Sequence, residues 1–218
     1  MFDSMNVSEI FPTPIWVLDL KPEVYGPLNA KVMLTIEAMI SPRPPIRVGE
    51  TWQTDPYIHT LPDFAELMQI IRGAAKGALR FLQVEYQSFE ITGCWANINP
   101  RGGLNTRHTH PNNFLSGTYY VQVPLEANRI IFDDPRPQAM TVLPRVKQYN
   151  KFVGNEVSFE IREGRLILFP AWLPHGVPAN QSERERVSVS FNIMFTAFTE
   201  TMSRPLWRGT AGPRVKTG

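Results

Sequence analysis

One cysteine, four histidines and no long apolar run set the first limits on this chain of 218 residues. The lone Cys94 excludes an internal disulfide framework and any cysteine-based zinc cluster, and it agrees with a reducing compartment. No segment approaches the roughly 18 uninterrupted apolar residues of a membrane helix, so a soluble chain is expected. The opening MFDSMNVSEI carries an acid where an export signal carries basic residues, and no apolar stretch follows, so a cytoplasmic location is expected. Charge of one sign is also scarce: 22 Lys and Arg against 20 Asp and Glu leave a formal +2. Part of the basic lean comes from Arg204, Arg208, Arg214 and Lys216, read as a solvated tail. So small a charge leaves no phosphate-binding footprint, and neither nucleic acid nor membrane is an expected partner.

The length and an apolar content of 43% fit one domain over residues 1–218 with a sizeable core. Residues 1–88 read as an N-terminal strand with supporting helices. Ile15 to Leu20 follows the prolines of FPTP as a strand, Pro22 opens a helix to about Ile40, and SPRPP ends it. A stronger helix begins at Asp63, where Asp63 and Glu66 match a capping box. Its apolar positions Phe64, Leu67, Met68, Ile71, Ala75, Ala78, Leu79 and Leu82 recur at helical spacing, which predicts a stripe packed on a sheet.

From residue 89 to about 198 the texture changes to short runs separated by turn residues: FEITGCWANI, FLSGTYYVQV, RIIF, NEVSFEI, RLILF and RVSVSFNIMF. At least six strands at this spacing fit an antiparallel sandwich or jelly roll better than parallel βαβ units. The fold expected is therefore mainly β with flanking helices. Residues 199–218 lack periodicity and read as a tail, partly mobile or packed on the surface through Leu206 and Trp207.

Three of the four histidines make one pattern. His108 and His110 lie in RHTHPNN, just before an apolar run, and His175 lies in FPAWLPHGV, just after one. Alternate residues of an extended chain share a face, so His108 and His110 can offer two imidazoles to one point, and a third from a distant strand closes a metal site. Three nitrogen ligands suit iron with positions left for a co-substrate and dioxygen, or zinc with water. His59, in DPYIHTLP, has no partner in sequence and reads as a surface or outer-shell residue.

These stretches, GCWANINPRGGLNTRHTHPNN, SGTYYVQVP, GRLILFPAWLPHGV and RERVSVSFNIMF, together resemble the Fe(II)- and 2-oxoglutarate-dependent oxygenases with a double-stranded β-helix core, and within them an uncharacterised bacterial and phage group. The resemblance covers roughly residues 89–195, and the N-terminal FPTPI is also similar to the opening of that group. It implies His108 as the first metal ligand and His175 as the last. His110 occupies the place of the usual carboxylate, which leaves the metal site one unit more positive. One alternative is that Asp133 or Asp134, in IIFDDPRP, supplies a carboxylate instead, although DDP is also a good turn sequence.

The resemblance further implies Arg186 as the clamp on the distal carboxylate of 2-oxoglutarate, a task that suits a guanidinium fork, with Arg184 as the competing choice. Tyr120 matches the strand tyrosine that bonds the same carboxylate, while Tyr119 points to the opposite face. Asn97, Asn99 and Ser188 are candidate co-substrate contacts, and Trp95 and Trp172 either wall the pocket or pack in the core. Three functions compete. One is an Fe(II) and 2-oxoglutarate oxygenase hydroxylating a small-molecule or peptide substrate with decarboxylation of 2-oxoglutarate to succinate. Another is a three-His iron dioxygenase that needs no 2-oxoglutarate, and the last a non-catalytic jelly roll with a structural metal. A homodimer through the N-terminal segments is a further expectation without a specific signal.

Overall fold

The structure, a computed structural model, describes residues 2–142, 144–201 and 207–211. In chain order its strands are β1 (Trp16–Asp19), β2 (Trp52–Gln53), β3 (Phe89–Asn99), β4 (Asn105–His108), β5 (Leu115–Gln122), β6 (Arg129–Asp133), β7 (Glu156–Glu160), β8 (Arg165–Pro170), β9 (His175–Val177) and β10 (Arg186–Phe195). Two long helices, α1 (Pro22–Ile40) and α2 (Ala65–Phe81), precede β3. All six runs read as strands in the sequence are strands here. Every strand pair is antiparallel, in a six-stranded sheet of order β1-β8-β5-β10-β3-β2 and a four-stranded sheet of order β4-β9-β6-β7. This is the jelly roll expected from the spacing of the strands.

Period-two alternation divides the larger sheet into two chemically different faces. On the outer face Ala96, Ile98, Leu115, Tyr119, Leu166, Leu168, Val187 and Val189 pack against Leu28, Val32 and Ile36 of α1 and Leu67, Ile71, Ala75 and Leu79 of α2 in one cluster. On the inner face Tyr120, Ile167 and Phe169 meet Ile130 and Phe132 of the smaller sheet. Phe132 lies edge-on to Phe169 at 5.1 Å. Helices, large sheet and small sheet thus form three layers, with two apolar clusters around the large sheet.

Tyr119 is fixed in the outer layer by a polar contact. Its hydroxyl donates to Asn29 Oδ1 at 2.6 Å, and Asn29 Nδ2 donates to the Val121 carbonyl at 2.8 Å. Tyr119→Phe strands the buried Asn29 oxygen, which should cost about 1–3 kcal/mol. Its expected signature is a melting temperature lower by about 2–4 °C per kcal/mol with site chemistry intact.

One sequence expectation is corrected. The capping box at Asp63 and Glu66 does not form: a 3-10 turn over Pro62–Phe64 runs straight into α2, the cap position falls on Phe64, and no side chain caps the helix. Phe64 is itself already helical in its backbone, and Asp63 sits 3.9 Å from Lys31 on α1 instead. The N-terminal strand read in the sequence is β1, which pairs with β8, and with β2 on β3 the residues before 89 supply both edges of the larger sheet. Of the tail, Leu206, Arg204, Arg214 and Lys216 lie outside the described residues, while residues 207–211 lie along β2 and are held there by hydrogen bonds. Among the described residues no helix is long and apolar enough to cross a membrane.

Candidate metal centre and cavity

The smaller sheet brings the histidines together. His108 ends β4, His175 opens β9, and the two are direct cross-strand partners with ring centroids 4.4 Å apart. Cross-strand partners are the closest side chains a sheet offers, so a distant pair in sequence becomes a pair in space. His110, two residues past His108, donates its backbone N–H to the Ala171 carbonyl at 2.9 Å, which sets its ring beside the others. One nitrogen from each of the three rings lies within 4.8 Å of the others, with His110 Nε2 and His175 Nε2 3.3 Å apart.

Second contacts orient two of the rings. His108 Nδ1 lies 2.7 Å from the Thr106 carbonyl and His175 Nδ1 lies 2.9 Å from that of Leu173. A carbonyl only accepts, so each Nδ1 carries the proton and each Nε2 keeps its lone pair, the state of a metal-binding histidine. Burial, reinforced by the neighbouring imidazoles, pushes His110 down to about 3. Burial is also the main cause that pushes His175 down to about 4, against the Leu173 hydrogen bond, which acts the other way. Both are neutral donors at physiological pH.

No carboxylate joins them among the described residues. Asp133 is taken by Arg107, whose Nε lies 2.8 Å away, and Asp134 by Arg136 at 2.7 Å. Asp134 also accepts the Arg136 backbone N–H at 3.0 Å, the geometry of a turn, so the DDP motif is structural and the alternative of an aspartate ligand is not what the fold builds.

The cluster opens into a cavity of about 740 Å³. Inner-face residues of three neighbouring strands line it: Arg186, Ser188 and Ser190 of β10, Thr118 and Tyr120 of β5, and Trp95 and Asn97 of β3. The polar alternation of RVSVSFN therefore faces this cavity at Arg186, Ser188 and Ser190, while Asn192 accepts from Ser116. Arg186 is 1% exposed, and among the described residues its Nη1 reaches only the Ala127 carbonyl at 3.4 Å and its Nη2 has no partner. The buried Tyr120 hydroxyl is likewise unpartnered. Burial pushes the Arg186 guanidinium down to about 10, with Tyr120 acting the other way, and burial pushes the Tyr120 phenol up. A buried cation and a buried hydroxyl without partners are costly unless an anion completes them.

The remaining candidates divide. Asn97 lines the cavity while accepting from Gln53 Nε2 at 2.7 Å and donating to Ser190 Oγ at 3.0 Å. Asn99 does not line it; its Nδ2 is spent on Thr51 Oγ1 at 2.6 Å and Asn105 Oδ1 at 3.1 Å, tying β3 to the chain before β2 and to β4. Arg184 is exposed and donates to Gln122 at 3.3 Å, so Arg186 is the arginine of the cavity. Trp95 is a wall, 5.9 Å from His110, whereas Trp172 is 54% exposed and neither walls the cavity nor packs in the core. His59 stands apart in a 3-10 turn, its ring 6.3 Å from Tyr57. Sequence reasoning missed Gln53, Thr51 and Thr210, which line the cavity from β2, from the residue before it and from the C-terminal segment. Nothing in their local pattern marks them, because β2 is two residues long.

Residues 93–192 match the model of a family described as "Putative 2OG-Fe(II) oxygenase". No curated protein sequence matches the chain. Among solved structures it is similar to the non-heme alpha-ketoglutarate-dependent epimerase SnoN from nogalamycin biosynthesis, with 14% identity, a TM-score of 0.62, and coverage of 94% of this chain and 91% of that one. A prolyl-4-hydroxylase of Pseudomonas putida superposes with a TM-score of 0.54 at 16% identity, covering 84% and 93%. HygX of Streptomyces hygroscopicus, solved with nickel and 2-oxoglutarate bound, does so with a TM-score of 0.54 at 12% identity, covering 84% and 83%. At such identities the likeness is one of fold. The matched residues, 93–192, contain His108, His110, His175, Tyr120 and Arg186, and over this stretch the chain is similar to the family described as putative 2OG-Fe(II) oxygenase.

Proposed function

We propose that the protein is an Fe(II)- and 2-oxoglutarate-dependent oxygenase in which His108, His110 and His175 hold the metal and Arg186 and Tyr120 take the distal carboxylate of the co-substrate. The observation that carries this is the pair of unpartnered buried groups, Arg186 Nη2 and Tyr120 Oη, in the same cavity as the three imidazoles. An organic dianion with a carboxylate at each end fits both ends of such a cavity. When bound, iron with 2-oxoglutarate and dioxygen supplies oxidation of a substrate C–H bond coupled to decarboxylation of 2-oxoglutarate to succinate.

The chain's own residues do the positioning. The Nδ1 contacts of His108 and His175 hold their Nε2 lone pairs toward one point, and the neutral charge of all three ligands leaves the metal's full positive charge to attract an anionic co-substrate. Arg186 offers a planar fork and Tyr120 a single O–H donor in a site shielded from water, where charge-assisted bonds are strongest. Ser188, paired across from Tyr120, adds a hydroxyl on the same face. A structural zinc site is closed by four protein ligands, whereas here three converge at the edge of a cavity.

Anaerobic addition of 2-oxoglutarate to the Fe(II)-loaded protein should produce the weak visible metal-to-ligand charge-transfer band, and oxygen should then yield succinate. Iron binding without a band would sink the co-substrate assignment and put a direct three-His dioxygenase in its place. No iron binding at all would leave the non-catalytic jelly roll with a structural metal or a binding role.

A further inference from the structure

The C-terminal segment is clasped to the cavity more firmly than a tail requires. Thr210 N donates to the Gln53 carbonyl at 2.7 Å, Ala211 N to the same oxygen at 3.2 Å, and Gln53 N to Thr210 Oγ1 at 2.7 Å. Gly209 N donates at 2.7 Å to Asp55, a carboxylate residue only 3% exposed. A Cβ on Gly209 would stand 2.3 Å from the Thr54 backbone carbon, so the approach admits glycine alone. The clasp reaches the site in two ways. Thr210 itself lines the cavity, and Gln53, gripped by it, holds Asn97 on the floor. Trp207, two residues before Gly209, lies edge-on to Trp95 with centroids 5.3 Å apart, and the Trp95 ring lies 5.9 Å from that of His110.

We propose that residues 207–211 are a fixed wall of the substrate site, in which Trp207 acts as a positioning residue that sets the Trp95 indole to receive a flat, apolar part of the primary substrate beside the metal. This deepens the oxygenase reading and rests on it for the word substrate. The chemistry follows from the lining: the Trp95 indole is an apolar wall of a cavity that Pro44, Ile46 and Leu104 also line, while Arg186 is its buried cation, with Nη2 unpartnered among the described residues and left for a carboxylate. A planar ring gains face contact with an indole that a puckered ring of equal size does not.

The test uses the full-length protein and 4-methylphenol as probe, with 4-methylcyclohexanol as the non-planar control, both read by saturation-transfer NMR without metal and by line broadening after Co(II) loading. Wild type should prefer the planar probe, and Co(II) should broaden its signals. Trp207→Ala should weaken the planar probe by about tenfold, the size of one aromatic contact, and Trp207→Phe should restore most of it. Gly209→Val, which forces the segment off β2, should reproduce Trp207→Ala, with a melt lowered only by the loss of the segment's own hydrogen bonds. Equal affinity in Trp207→Ala and wild type, no rescue by phenylalanine, or no preference for the planar probe overturns the proposal. Because the affinities are read without metal, a wall that behaves as stated in a protein that fails to bind iron or 2-oxoglutarate would overturn the oxygenase reading and keep the wall.

Discussion

Arg186→Leu is expected to weaken 2-oxoglutarate binding by at least about thirtyfold and to leave the metal-free protein as stable as wild type or more so. The two halves have one cause. In the metal-free fold Arg186 is 1% exposed with a single long contact to a carbonyl, and no carboxylate pairs with it among the described residues. A buried charge in that state opposes folding, and an apolar residue of similar reach relieves the cost. A cation whose folded pKa, about 10 here, lies below its unfolded value binds fewer protons folded than unfolded between the two. The penalty is therefore in full force below pH 10 and is relieved as the pH climbs above it. The same desolvation makes the bond to an incoming carboxylate strong, and losing one partner of a buried charged pair costs about 2–5 kcal/mol, or upwards of thirtyfold in affinity. Arg186→Lys keeps the charge but loses the fork, and should fall between the two. Calorimetry of 2-oxoglutarate on Ni(II)-loaded protein and a thermal melt of the metal-free protein check both halves. A variant that melts far below wild type and still binds 2-oxoglutarate would show that Arg186 is a structural residue.

Arg186 also shows why so much of the site was legible in the sequence. A strand's alternation carries its own geometry, so the run RVSVSFN declared that Arg186, Ser188 and Ser190 share a face, and YY declared that only one tyrosine enters the cavity. Whether that face met solvent or a cavity depended on the second sheet, which no local pattern encodes. The strands that carry the ligands were harder to see than the core: β4 has four residues and β9 three, too short for a period, and the histidines themselves break the apolar signal. They were located only because strands on either side bounded them. The capping box failed for the opposite reason, a correct local motif overridden when Pro62 started a turn that continued into the helix. The hold of the C-terminal segment on β2 was not legible because it uses backbone groups, one glycine and a buried aspartate more than 150 residues away in sequence. Contacts of that range leave no trace in composition.

His175→Ala is expected to remove metal-dependent stabilisation entirely. A ligand that binds only the folded state at a hundred times its dissociation constant stabilises by about 2.7 kcal/mol, which for a chain of this length raises the melting temperature by roughly 5–10 °C. His175 is the ligand on which this depends most. It is the most buried of the three, it faces His108 across the ladder, and its Nε2 lies 3.3 Å from that of His110. Removing it leaves two imidazoles on one side of the ion and an unpaired Leu173 carbonyl. Loss of outer-shell partners alone costs about 10–100-fold in metal affinity, and loss of the ligand should exceed that. The metal-free variant should melt lower by no more than the cost of one stranded carbonyl, about 1–3 kcal/mol. His59→Ala, which removes the one histidine outside the cluster, should keep the full shift with Ni(II) or Fe(II). Equal shifts in His175→Ala and wild type would place the metal elsewhere. A shift lost in both variants would mean that the response depends on histidine content and not on this constellation.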